Sequence, residues 1–212
     1  ALKPANEPIV LARKPLSEKT IAENVMKWGT GGLNIDGCRI GTEEIKTNGK
    51  RKGQGVSLEW SKYTSPEGYE GGIHQGRFPA NVILDEEAGK LLDEQHKGAS
   101  RFFYCAKASK KERNMGLEDM PEVISNDGRD ETLASGNMPH NRGNVPKKNH
   151  HPTVKPVKLI EYLITLVTPP NGIVLDPFMG SGTTAVACIK TNRKYIGFEL
   201  DKYYCEIANE RI

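Results

Sequence analysis

Apolar residues in this chain gather in one long periodic stretch near the C-terminal end and in a few short runs before it. Val157, Ile160, Leu163, Ile164 and Val167 recur at helical spacing. The spacing predicts a helix opened by Pro156, at the first helical position where a missing N–H costs nothing. Pro169-Pro170 closes it before an Asn171-Gly172 turn. Ile173-Val174-Leu175 predicts a short strand, apolar enough to sit in the middle of a parallel sheet with both faces covered. After Asp176 and Pro177 the run Gly180-Ser181-Gly182 lets the backbone approach a ligand closely. Residues 183–190 then predict a helix, 194–198 a second strand closed by Glu199, and the stretch from Asp201 to the end a last helix.

Upstream the signals are weaker. Residues 7–14, EPIVLARK, predict a strand with its ends set by Pro4 and Pro15, followed by a polar helical segment over 17–27. From Gly29 to Gly76 glycine is frequent and no apolar period runs, which predicts a solvated loop. Residues 78–84 and 101–106 predict two strands around a helix from Asp85 to about His96, with Phe102, Phe103 and Tyr104 mostly in the core. Between Met120 and Asn149 Asn, Gly, Pro and Asp dominate, which predicts a loop that leaves His140, His150 and His151 exposed to solvent.

Composition narrows the function classes only a little. Hydrophobic residues make up 36% of the 212, low for a fully packed globule, and the formal net charge is +3. Such a mild basic balance is compatible with nucleic acid without pointing to it. Cys38, Cys105, Cys188 and Cys205 show no metal-ligand or disulfide spacing, so no metal is expected, and Cys188 reads as a small buried hydrophobe. The apolar runs are too short for a membrane helix and no signal peptide opens the chain; a reduced, cytoplasmic protein is expected.

The strand, glycine loop and helix around Asp176, with an acid closing the next strand, make the layout of a small-molecule cofactor site. Gly180, Gly182 and Ala185, with Glu199 about twenty residues on, also fit the dinucleotide fingerprint. Two facts count against a dinucleotide. The Asp176 carboxylate at the mouth of the loop would repel a pyrophosphate yet attract the ammonium of an amino-acid-bearing cofactor. The residues after Leu175 are also too few to build the rest of such a domain.

Three motifs carry a resemblance to a known family. HPTVKP at residues 151–156, DPFMGSGTT at 176–184 and IGFELDKYY at 196–204 resemble motifs X, I and II of the beta-group amino DNA methyltransferases, in that group's order. They cover about the last third of the chain. GRFPANVI at 76–83 and SRFFYCAKASKKERN at 100–114 resemble weaker signatures of phage and bacterial members, the modification methylases of restriction-modification systems. The resemblance implies methyl transfer from S-adenosylmethionine to adenine N6 or cytosine N4 in double-stranded DNA. It implies a Rossmann-like α/β methyltransferase sheet, incomplete here, in which residues 1–27 and 149–212 belong to the methyltransferase domain and 28–148 form an inserted target recognition region.

The same resemblance implies roles for residues. Glu199 would accept hydrogen bonds from the two ribose hydroxyls, with Asp201 nearby. Asp176, Pro177 and the loop of Phe178, Gly180, Ser181, Gly182 and Thr183 would hold the methionine end. Thr153 and Lys155 would reach the cofactor carboxylate, although a helix cap and entry explain them equally well. Within the proposed recognition region the cluster Lys107, Lys110, Lys111 and Arg113 is the candidate DNA contact.

The family holds the flipped base with an Asp, Asn or Ser followed by Pro-Pro and Tyr or Phe. No such tetrapeptide occurs in these residues. Thr168-Pro169-Pro170-Asn171 lacks the aromatic and reads as a turn, so no catalytic residue is assigned. The expectation is the C-terminal part of a longer enzyme, inactive alone; the alternative is a noncatalytic DNA-binding or scaffolding subunit.

Overall fold

The computed structural model describes residues 7–46, 72–105, 110–122 and 148–212. Helix α1 (Ile21–Trp28) begins in a capping box, with Glu23 N–H donating to Thr20 Oγ1 and Thr20 N–H to the Glu23 carboxylate, each at 3.1 Å. It stops at left-handed Gly29. Strand β1 (Ile40–Lys46) pairs antiparallel with β2 (Ile73–Arg77). Their backbones meet so closely at Gly76 that a Cβ there would lie 2.6 Å from the Ile40 and Gly41 carbonyl oxygens. Strand β3 (Ile83–Leu84), helix α2 (Glu86–Gln95) and strand β4 (Tyr104–Cys105) make a small parallel β-α-β unit. Asp85 starts α2 by accepting the Ala88 N–H at 2.8 Å.

The one-turn helix α3 (Lys110–Arg113) precedes the part of the chain that holds the main core. There α4 (Val157–Val167) leads into β5 (Ile173–Asp176), α5 (Thr183–Lys190), β6 (Lys194–Gly197) and α6 (Lys202–Arg211). Strands β5 and β6 run parallel, in register from Ile173 opposite Lys194 to Asp176 opposite Gly197, and α5 is their crossover. Val157 and Ile164 of α4 bury themselves against Val186, Ala187 and Cys188 of α5, with Val174 and Tyr195 of the sheet packed below. Fully burying each of the larger of these side chains contributes about 1.5–3 kcal/mol. The architecture is mixed α/β with three two-stranded sheets among the described residues. No helix there is long and apolar enough to cross a membrane.

Several expectations need correction. Residues 7–14 form no strand: no ladder partner lies beside them among the described residues, and Val10 is 86% exposed. The expected solvated loop from Gly29 to Gly76 contains the β1–β2 ribbon. The strand expected over 78–84 shrinks to Ile83–Leu84, and residues 99–102 turn as a 3₁₀ helix before the short β4. Pro156 is the cap of α4 and not its first turn. β5 is not covered on both faces: Ile173 and Leu175 are 63% and 62% exposed, because α4 and α5 cover only the face of Val174 and Tyr195. Most of the loop expected over 120–149, His140 included, lies outside the described residues. His150 and His151 are half-buried against Tyr203 and Tyr204 and not free in solvent.

Candidate functional site

The site forms where β5 and β6 end, the edge at which open parallel sheets receive ligands. Each strand finishes on an acid. Asp176, at the end of β5, accepts the Phe178 N–H at 2.9 Å through Oδ1 and the Thr184 hydroxyl at 2.6 Å through Oδ2. Glu199, just past β6, accepts the Leu200 and Asp201 N–H groups through Oε1, each at 2.9 Å, and the Gly180 N–H through Oε2 at 2.8 Å. Those backbone donors, that of Asp201 foremost, hold the Glu199 carboxyl below the usual carboxylate range, and His151 nearby adds to the effect. Glu199 is thus anionic at neutral pH.

Between the two acids the chain bends through the glycine loop. The Met179 N–H donates to the Phe198 carbonyl at 2.8 Å, which ties the loop to the end of β6. Gly180 and Gly182 have positive φ, 55° and 81°, a conformation that residues with a Cβ resist. Space is short for a side chain at both as well. A Cβ at Gly180 would come within 2.8 Å of His151 Nε2, and one at Gly182 within 3.0 Å of Ala208 Cα. The loop is therefore clasped between the His151 ring and α6. Ser181 and Thr183 are buried, while Phe178 at the loop tip is 87% exposed and Pro177 is exposed beside it.

A family model for DNA methylases, N6_N4_Mtase, matches residues 1–210. The chain belongs to this DNA methylase family. The putative methylase YubD of Escherichia coli (strain K12) is 51% identical over 63 residues, which are 30% of this chain and 28% of YubD. The orphan methyltransferase M.BamHII of Bacillus amyloliquefaciens is 55% identical over 62 residues, 29% of this chain and 23% of the relative. Among solved structures, the M1.HpyAVI-SAM complex shares 51% identity over 31% of this chain and 32% of that one, with a TM-score of 0.30. The chain thus matches less than a third of the length of each of these proteins.

Within this DNA methylase family member the other candidate residues divide. Asp201 caps α6, accepting the Tyr203 and Tyr204 N–H groups at 2.9 and 3.2 Å. Thr153 is exposed and its N–H donates to His151 Nδ1 at 3.3 Å, while Lys155 is ion-paired with Glu7. Lys107 lies outside the described residues. Lys110 and Lys111 open α3, and Arg113 closes it with its guanidinium donating to the His151 carbonyl at 3.1 Å.

Sequence reasoning missed three contributors. His151 covers Gly180, and Arg211, 6% exposed, reaches the loop from α6. Asn149, 1% exposed, donates to the Arg113 carbonyl at 3.0 Å, joining the segment after α3 to the HPTVKP stretch. HPTVKP signalled His151 by position. A penultimate arginine on a helix reads as a cation near the dipole's negative end, so Arg211 carried no signal.

Proposed function

We propose that this chain forms the S-adenosylmethionine-binding part of a DNA methyltransferase that modifies adenine N6 or cytosine N4. The observation that carries the reading is the glycine loop held between two acids, Asp176 and Glu199, at the ends of adjacent parallel strands. The cofactor named in the M1.HpyAVI-SAM complex and the family description support it.

The residues fit that group. Gly180 and Gly182 let the loop backbone bend tightly between His151 and Ala208, which brings it to the mouth between the two acids. An ionised carboxylate has about four acceptor sites. Each Asp176 oxygen accepts one hydrogen bond, leaving room for the ammonium of the methionine end. Glu199 has three of its sites taken by N–H groups, so one ribose hydroxyl is accommodated at Oε2 without rearrangement. Ser181, Gly182 and Thr183 shape the loop floor, and exposed Pro177 and Phe178 can close over the bound group. Lys155 has an ammonium donor engaged by Glu7, and its other two donors are the ones that would reach the cofactor carboxylate. Bound there, S-adenosylmethionine supplies a methyl group made electrophilic by its sulfonium.

In the same reading β5, β6 and the helices on one side are part of a Rossmann-like sheet. The exposed apolar side chains of Ile173, Leu175, Ile196 and Phe198 support it, since parallel sheets bury both faces. Residues 1–27 and 149–212 belong to that domain, and 28–148 form the target recognition region facing double-stranded DNA.

Isothermal titration with S-adenosylmethionine and with NAD tests the assignment. S-adenosylmethionine is expected to bind the more tightly. Glu199→Ala should cost about 1.5–3 kcal/mol, the loss of one charged hydrogen bond. Tighter binding of NAD, or an unaltered affinity in the variant, sinks the assignment.

A further inference from the structure

The glycine loop has its carboxylate partner on one side, through the Gly180 N–H to Glu199. On the other side lies α6, whose inward face is Ile207, Ala208 and Arg211. Arg211 Nη1 donates to the Ser181 carbonyl at 2.5 Å, with Ser181 Oγ at 3.2 Å and Thr183 Oγ1 at 3.3 Å. The side chain is 6% exposed, and its Nε and Nη2 have no hydrogen-bond partner among the described residues. Burying a guanidinium there is costly, burial pulling its pKa down while the Glu112 carboxylate offsets part of that, and its charge sits at the already positive N-terminal end of α5. Packing alone does not explain it, because an apolar side chain of similar length would fill the same space without either penalty.

What the guanidinium does is hold a peptide plane. The Ser181–Gly182 peptide is planar, so fixing the Ser181 oxygen also fixes the direction of the Gly182 N–H. That N–H donates to the Met179 carbonyl at 3.1 Å and completes the turn. We propose that Arg211 is a positioning residue for the cofactor loop: from beneath, its guanidinium fixes the Ser181 carbonyl and sets the loop's shape before a ligand arrives. The proposal rests on the reading of this loop as the S-adenosylmethionine site. Glu199 and Arg211 then grip the loop from opposite sides, through an N–H and through a carbonyl. Binding pays less ordering cost when the loop is already in place.

The test uses the full chain, unaltered and as Arg211→Met, Arg211→Lys and Ile207→Val. Ile207 is fully buried on the same helix face and touches the fold's stability without a hydrogen bond to the loop. S-adenosylmethionine titrations, thermal melts and amide hydrogen exchange of the ligand-free chain are compared. Arg211→Met is expected to raise Kd about ten-fold. It should also speed exchange at the Gly182 amide with little change in α4. Arg211→Lys should recover part of both effects, while Ile207→Val leaves Kd within about two-fold despite a lower Tm. Unchanged Kd and Gly182 exchange in Arg211→Met overturn the proposal, as does an equal loss of affinity in Ile207→Val. If Arg211→Met does not fold, Arg211→Lys decides: an unaltered Kd and exchange rate refute the role. If the unaltered chain binds no S-adenosylmethionine, the reading of the site fails, and the exchange data still decide whether Arg211 holds the loop.

Discussion

At the scale of single residues, the site is built by groups that have already spent part of their hydrogen-bonding capacity on the fold. His151 shows the consequence for pH. Its Nδ1 accepts the Thr153 N–H, its ring stands edge-on to Tyr204 at 4.6 Å, and its Nε2 faces Gly180. Burial pushes its pKa below the ordinary histidine range, Glu199 partly restores it, and His150, Arg113 and Arg211 push it further down. In the unfolded chain the group titrates near about 6.5. The unfolded state therefore holds more protons between the folded value and that one, and stability rises with pH across the window. The His151 contribution is complete above about pH 6.5 and is lost as pH falls toward the folded value. We expect Tm to drop between about pH 7.5 and about pH 5.5, and His151→Asn to shrink that drop. Thermal melts of both chains across the range check it, and an equal drop in the two would remove His151 as the source.

At the scale of elements, what was legible in the sequence was what local rules decide. Helix α5 occupies residues 183–190, as expected after the glycine loop, and α2 follows Asp85 because an N-cap acts on its own neighbours. Strands fared worse, since a strand exists only where a partner pairs with it. Residues 7–14 have the composition of a strand and no ladder partner among the described residues, whereas Ile40–Lys46 is mostly polar and becomes one by pairing with Ile73–Arg77. The placement of the acids and glycines of the candidate site was readable because it is tied to the ends of β5 and β6. Asn149 was not, because its partners lie 35 and 36 positions away at Asn114 and Arg113. Its amide oxygen also accepts the His151 N–H at 3.2 Å. Asn149→Ala should therefore remove this donor from the part-buried Arg113 carbonyl and cost about 1–3 kcal/mol in urea unfolding. A loss below the error of such a measurement would mean that water replaces the side chain.

At the scale of the whole molecule, the proposed function requires groups that bind DNA and groups that speed transfer. Arg113 is committed to the His151 carbonyl, so its replacement by alanine should lower stability more than DNA affinity. Replacing Lys107, Lys110 and Lys111 together should instead flatten the salt dependence of DNA binding, by about 0.9 log-log units for each lost phosphate contact. Fluorescence anisotropy over a salt series measures that slope, and an unchanged slope in a folded variant would place these lysines away from DNA.

Rate is a separate matter from binding. Cofactor held equally well in ground and transition states gains no acceleration. Transfer needs the amino nitrogen aligned with the methyl carbon and its proton accommodated, by groups such as the Asp, Asn or Ser and the aromatic of the Pro-Pro motif. The described site supplies a glycine loop, two acids, a histidine and an arginine, all engaged with the loop or its supports. Thr168-Pro169-Pro170-Asn171 stands at the far end of the sheet from them: the Thr168 carbonyl accepts from Arg193, and the Asn171 N–H donates to Asn192, both at the start of β6. These 212 residues alone should thus bind S-adenosylmethionine and transfer no labelled methyl group to DNA, even at saturating cofactor. Adding a segment that carries an Asp, Asn or Ser followed by Pro-Pro and Tyr or Phe should restore transfer to adenine N6 or cytosine N4. Turnover by the 212 residues alone, with contaminating methylase excluded, would instead require a catalytic centre other than the Pro-Pro motif within these residues.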